Sequence, residues 1–310
     1  MEESMFYRAP GAPTDPNADY LVRATAYDGH VRGLCIRTTG VVSDAFAIHG
    51  TSPAATAAFG RFLTGSLLLA DTLKNKEDSQ TTNIRSDGPI GGMTAVCDSR
   101  RNIRGVLHHP IVETTYRAPG KIDVSAAVGK GILTVVRDLG LKEPYVGSVE
   151  LVSGELAEDF TYYLAVSEQT PSVVSLGVLL GADGVRQAGG FLVQVLPGAP
   201  DHVIDALEKR ATGGFPDITF LMEEGLTPEK ILDMFLGDPE IIYLGAEPVQ
   251  YACNCSRDKM ERGLLTLGEE QLRELSQTEE GIEISCHFCK TNYHFDKDQI
   301  NRLADSARKT

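Results

Sequence analysis

From residue 19 to about 196 the apolar pattern alternates strand-like runs with a few helical ones. Tyr20-Leu-Val-Arg-Ala-Thr-Ala is rich in β-branched and aromatic side chains and leads into Asp28-Gly29, so residues 31–38 read as the second arm of a hairpin. Residues 41–48 read as another strand. Ser52-Pro53 then sets a capping residue before a proline at the first helical position and predicts a helix over 53–74. Its Ala54, Ala57, Ala58, Phe62, Leu63, Leu67 and Leu68 fall near helical spacing, as core. Further strands are predicted over 81–85, 92–97, 103–108, 132–137, 145–151, 172–180 and 190–196, and a second helix over 155–169. Turn signals at Asp87-Gly88-Pro89 and Gly91-Gly92 divide them. The short links imply a largely antiparallel sheet with helices packed on it, an α+β fold rather than a doubly wound one.

Beyond residue 200 the pattern changes. Asp201 caps a short helix predicted to residue 211 and ended by Gly213-Gly214; Thr227-Pro228 opens another that runs to Leu236 and stops at Gly237. Helices this short have little stability alone, so Ile204, Leu207, Ile218, Phe220, Leu221, Ile231, Met234 and Phe235 need another surface to pack on. The last segment reads as a small unit. Thr266 with Glu269 makes a capping box for a helix to 276, Asp296 with Gln299 resembles another before a helix over 300–308, and residues 284–295 suit a hairpin. The expected organisation is an α+β core over 1–199, a helical, metastable linker over 200–248 and a small domain over 249–310.

Composition narrows the classes. A chain of 310 residues exceeds what one hydrophobic core usually organises, and 42% hydrophobic with 23% charged residues is ordinary for a soluble protein. The most apolar stretch, 172–182, is too short to cross a membrane and contains Gly177 and Gly181. The start, Met1-Glu2-Glu3-Ser4-Met5, has neither the basic nor the apolar region of a secretory signal, so a cytoplasmic location is expected. The following arm, with Pro10, Pro13 and Pro16, is expected to be loose. The net charge is −14, and the linker alone holds three basic against eleven acidic residues. That balance argues against a nucleic-acid partner, and Arg100, Arg101 and Arg104 read as a solvated face.

The chemistry concentrates in the tail, where Cys253-Asn254-Cys255 is followed after thirty residues by Cys286-His287-Phe288-Cys289. Zn2+ favours four thiolates in a tetrahedron, and two close pairs joined by a folded loop supply them. A domain of some 60 residues has a marginal core, so the metal is expected to contribute much of its folding free energy. His287 and His294 flank the cysteines as possible competitors. A purely structural zinc site that docks a partner is the alternative reading; a thiol-exchange enzyme is a third. Zinc-bound thiolates are the species that peroxide oxidises, and each close pair lies near enough along the chain to close a local disulfide. Loss of those ligands would expel zinc and release a linker that relies on the domain. Cys35 and Cys97 lie in strand-like runs as buried side chains, and His108-His109 read as a solvated pair at a strand end. The chain has no P-loop, dinucleotide fingerprint or nucleophile elbow, so it is not expected to be an enzyme.

The order C-x-C, thirty residues, C-x-x-C, behind a β-rich body with Asp87-Gly-Pro-Ile-Gly-Gly and Ala188-Gly-Gly-Phe-Leu-Val-Gln-Val-Leu-Pro, resembles the 33 kDa heat-shock chaperonin family over nearly the whole chain. The resemblance implies a substrate-binding core over 1–199, a stress-sensing linker over 200–248 and a zinc domain over 249–310, with Cys253, Cys255, Cys286 and Cys289 as Zn2+ ligands. It also implies disulfides 253–255 and 286–289 on oxidation. The implied activity is ATP-independent holding of unfolding client proteins, off while reduced and zinc-loaded, on after oxidation and then often dimeric.

Overall fold

The computed structural model describes residues 8–277 and 281–307 and divides into two compact units, one ending at Tyr251 and one beginning at Ala252. In the first unit, β1 (Tyr20–Ala26) and β2 (Val31–Arg37) form the expected hairpin, with Tyr27, Asp28 and Gly29 at positive φ in its turn. Residues 41–48 are not a strand but lie in α1 (Thr39–His49). Its buried residues Val41, Val42, Ala45 and His49 share one helical face, a spacing that so short an apolar run does not distinguish from a strand. The helix α2 (Pro53–Leu69) starts at the predicted proline and continues into a 3-10 turn, Ala70–Thr72. Fifteen of its seventeen residues are buried, and the Thr64 and Ser66 hydroxyls donate back to the Gly60 and Phe62 carbonyls, which lets polar side chains sit in the core.

Then follow β3 (Ser79–Ser86), β4 (Gly92–Asp98) and β5 (Asn102–Leu107), a small hairpin of β6 (Tyr116–Ala118) and β7 (Lys121–Ile122), and α3 (Val124–Val128). After these come β8 (Gly131–Asp138), β9 (Tyr145–Glu150), α4 (Ala157–Val166), β10 (Ser172–Gly181) and β11 (Gly184–Val195). The next segment supplies α5 (Asp201–Thr212), α6 (Ile218–Glu223), α7 (Pro228–Leu236), β12 (Ile242–Pro248) and β13 (Gln250–Tyr251). Two sheets result. One is antiparallel in the order β10-β11-β2-β1-β12; the other runs β13-β5-β4-β3-β8-β9, antiparallel except where β13 joins β5. The fold is the expected α+β type.

The helix α2 packs on β10 and β11 of one sheet and on β4 and β5 of the other, which is why it is apolar all round. The alternation along β1 and β2 divides their side chains between two cores. Leu21, Leu34 and Ile36 join α2, whereas Val22, Ala24 and Cys35 face the opposite side, where Phe191, Leu207, Ile218, Leu221, Ile231 and Phe235 complete a second core. The helices α5–α7 therefore cover the outer face of the five-stranded sheet. Close approach is required there: Gly177 pairs with Gly189, and a Cβ on Gly189 would lie 2.3 Å from the Met222 side chain of α6. Of the linker residues expected to need a surface, Ile204 is half-buried and Phe220 and Met234 stay 55% and 47% exposed. Thr227 caps α7 and left-handed Gly237 ends it, as predicted, while Asp201 is the first helical residue of α5 and not its cap.

Arg101 does not lie on a solvated face. It is buried, at positive φ, and pairs with Glu247 and with Asp71, whose carboxylate also holds Arg23 and Arg32 at 2.6 and 2.5 Å. The proline arm is not loose throughout either, because Ala9 is only 3% exposed within the second core.

The second unit contains α8 (Arg257–Leu265), α9 (Glu269–Leu275), the hairpin β14 (Ile282–Ser285) and β15 (Asn292–Phe295), and α10 (Lys297–Ala307). Thr266 is not a cap for α9: it ends α8, donating to the Gly263 carbonyl, and Gly268 precedes α9. Asp296 and Gln299 do form a reciprocal box at α10, each side chain accepting the other's backbone N–H at 2.8 and 3.0 Å. Among the described residues no helix is long and apolar enough to cross a membrane.

Candidate metal centre

Two short pieces of the second unit bring the tail cysteines together. Cys253 and Cys255 lie just ahead of α8, which Ser256 caps by accepting from Lys259 N–H; the Lys259 ammonium in turn donates to the Asn254 carbonyl between the two cysteines at 2.7 Å. Cys286 and Cys289 occupy the turn between β14 and β15. There Lys290 N–H donates to the Cys286 carbonyl and Cys286 N–H to the Thr291 carbonyl, with Lys290 at φ 58° closing the loop. Arg257 fastens the two pieces: its guanidinium lies 4.3 Å from the centre of the Phe295 ring and donates to the His294 carbonyl and the Gln299 side chain.

The four sulfurs lie within 4.8 Å of one another. Two contacts cross between the pairs, at 3.7 Å for Cys253 with Cys286 and 3.3 Å for Cys255 with Cys289. In a Zn2+ tetrathiolate with bonds of about 2.3 Å, neighbouring sulfurs stand about 3.8 Å apart, so the group fits such an ion with small adjustments. All four cysteines are free thiols, and together they could hold a metal ion. His287 and His294 are exposed and lie outside the cluster.

The surroundings grade the thiols. Burial pushes Cys253 up to about 12, with contacts from the other three thiols adding to the rise. Cys255 is also raised, first by burial, against the Tyr293 hydroxyl that donates to its sulfur at 3.1 Å. For Cys289 burial acts upward too, but the Thr291 hydroxyl and N–H and the neighbouring thiols outweigh it and bring the group to about 7. Thr291 and Tyr293 are contributors that the cysteine spacing did not single out; their signal is position, two residues past Cys289 just before β15 and four residues past it on β15. Cys35 and Cys97 are fully buried, and burial raises both far above the ordinary thiol range. His108 and His109 are exposed beyond the end of β5.

The chain's relatives agree with this architecture. Residues 19–296 match the model of the Hsp33 protein family. Among curated proteins, the 33 kDa chaperonin of Ruminiclostridium cellulolyticum is 46% identical over 92% of this chain and 97% of its own length. That of Acetivibrio thermocellus is 45% identical over 92% and 96%. The crystal structure of the 33 kDa chaperonin (heat shock protein 33 homolog) of Thermotoga maritima superposes with a TM-score of 0.86 at 36% identity, covering 94% of this chain and all of that one. The chain therefore belongs to the Hsp33 family of chaperones.

Proposed function

We propose that this chain is a redox-regulated holdase that binds unfolding client proteins without ATP, with Cys253, Cys255, Cys286 and Cys289 as both Zn2+ ligands and sensor. The observation that carries the reading is the convergence of four sulfurs in a unit whose buried apolar cluster, among the described residues, is Leu264, Leu272, Phe295, Ile300 and Ala304. So small a core leaves the unit dependent on its metal centre. Bound Zn2+ would hold all four sulfurs as thiolates and add folding free energy. Oxidation proceeds by pairs: two thiols and one hydrogen peroxide give one disulfide and two waters, first through a sulfenic acid that the second thiol attacks. The proposed products are the disulfides 253–255 and 286–289. A sulfur committed to a disulfide no longer serves as a thiolate ligand, so the site dissolves and the unit loosens.

In this reading residues 1–199 are the client-binding core, 200–248 the linker and 249–310 the sensor domain. Release of α5–α7 would uncover their own apolar faces together with Val22, Ala24, Phe191 and Val193 on the sheet, two apolar surfaces suited to unfolded chains. Clients, and a second copy after oxidation, are the proposed partners, in the cytoplasm; no nucleic-acid, membrane or enzymatic role is proposed. The test is light scattering of a heat-unfolded client with the protein either reduced and zinc-loaded or treated with peroxide at mildly elevated temperature, while a chromophoric chelator reports zinc. Suppression of aggregation only after oxidation, with zinc release, supports the reading. Retained zinc, or suppression by neither form, returns the four cysteines to a permanently structural site that docks a folded partner.

A further inference from the structure

We infer that residues 8–12, which precede the part of the chain matched by the family model, form a strap that clamps α7 and β12 onto the five-stranded sheet. Ala9-Pro10-Gly11-Ala12 is a tight turn in which Ala12 N–H donates to the Ala9 carbonyl at 3.0 Å. Proline at its second position and Gly11 at φ 83° at its third are the residues a type II turn requires. The turn engages both linker elements. On β12, the Ala246 N–H donates to the Pro10 carbonyl at 2.7 Å. Since β12 is the edge of its sheet, the arm covers one donor that the sheet leaves open. On α7, the carboxylate of Glu229, only 3% exposed, accepts from Ala9 N–H at 3.3 Å and from the Tyr20 hydroxyl at 3.0 Å. The Ala9 methyl closes the same core as Ile231, Leu232, Phe235 and Tyr243. Removing the arm therefore leaves a buried carboxylate with one donor fewer, an edge N–H uncovered and a small gap in the core.

The contacts fall on α7 and β12 and on neither β3 nor β8, so the strap acts locally. It adds a barrier to linker release that is separate from the metal centre. Its consequence for activation rests on the redox reading proposed above: without the strap, the oxidised protein should hold clients at a lower temperature.

The test uses the reduced, zinc-loaded full chain and two variants, a deletion of residues 2–12 and Gly11→Val. A Cβ at position 11 would lie 2.7 Å from the Ala246 carbonyl oxygen, in a backbone conformation that disfavours side chains. Hydrogen exchange followed by mass spectrometry should show amides of 228–248 exchanging about tenfold faster in both variants, while β3 and β8 keep wild-type rates. Wild-type rates in 228–248, or equal acceleration in every element, would overturn the strap. The exchange measurement needs no oxidant, so a wild-type protein that peroxide fails to activate would sink the redox reading and leave this result standing.

Discussion

The two units solve the same problem with different means. In the first, α2 lies between two sheets and a second apolar layer fills the space under α5–α7, so its stability comes from packing. In the second, among the described residues, three short helices and one hairpin enclose a cluster of five buried apolar residues, and the same unit gathers four sulfurs. Under the proposed function, a chemical change at four atoms would unmake the small unit and leave the core around α2 intact. The comparison teaches that a fold with little apolar packing has the most to gain from a bound metal, which is where the proposed switch sits.

The largest expected effect breaks the comparison at the metal. Chelation, or Cys286→Ser, should remove on the order of 10 kcal/mol of metal-linked folding free energy from residues 252–307, seen as loss of their dispersed amide resonances while those of β1–β5 persist. The converse is Phe62→Ala in α2. It should destabilise the first unit by about 3–5 kcal/mol in denaturant melts and leave zinc affinity unchanged.

A pH effect sharpens the contrast further, because it belongs to the first unit alone. Asp19 accepts the Val41 N–H at the start of α1 at 2.7 Å, yet burial raises it to about 6 against the backbone donors and Arg37. The folded state thus binds its proton more tightly than the unfolded state does. Stability is fully present below about pH 4 and is lost as pH rises through about 6, by about 3 kcal/mol at most. Asp19→Asn should flatten that slope in melts of the first unit between pH 4 and 6. The smallest effect compares two helix caps. Asp123→Ala, at α3 in the first unit, and Asp296→Ala, at α10 in the second, should each cost about 1 kcal/mol. Only the second should appear as zinc affinity weakened by about fivefold, read by competition with a chelator.

Much of this was legible in the sequence wherever the signal was local. Asp28-Gly29 announced the first hairpin, Ser52-Pro53 the start of α2, Thr227 and Gly237 the ends of α7, and the cysteine spacing the cluster. What was not legible depends on partners far along the chain. β12 exists because Tyr20–Thr25 pairs with Ile242–Pro248, and no local pattern in Ile-Tyr-Leu-Gly-Ala-Glu-Pro announces that. α1 does not show in the sequence because residues 41–48 carry an apolar run that both periods accommodate. Arg101 looked like one of three surface charges until Asp71 and Glu247, distant in sequence, took it into the fold. At the metal centre the four sulfurs were readable and the Tyr293 hydroxyl was not, since its approach to Cys255 follows from how the hairpin returns.

One measurement tests the central claim most directly: hydrogen exchange by mass spectrometry on a single zinc-loaded sample before and after peroxide, with released zinc counted in parallel. The account predicts stoichiometric zinc release, loss of protection over 252–307, partial loss over 201–248 and unchanged protection in β3–β5 and α2. Zinc retained with 252–307 still protected after peroxide, or the whole chain losing protection together, would contradict it.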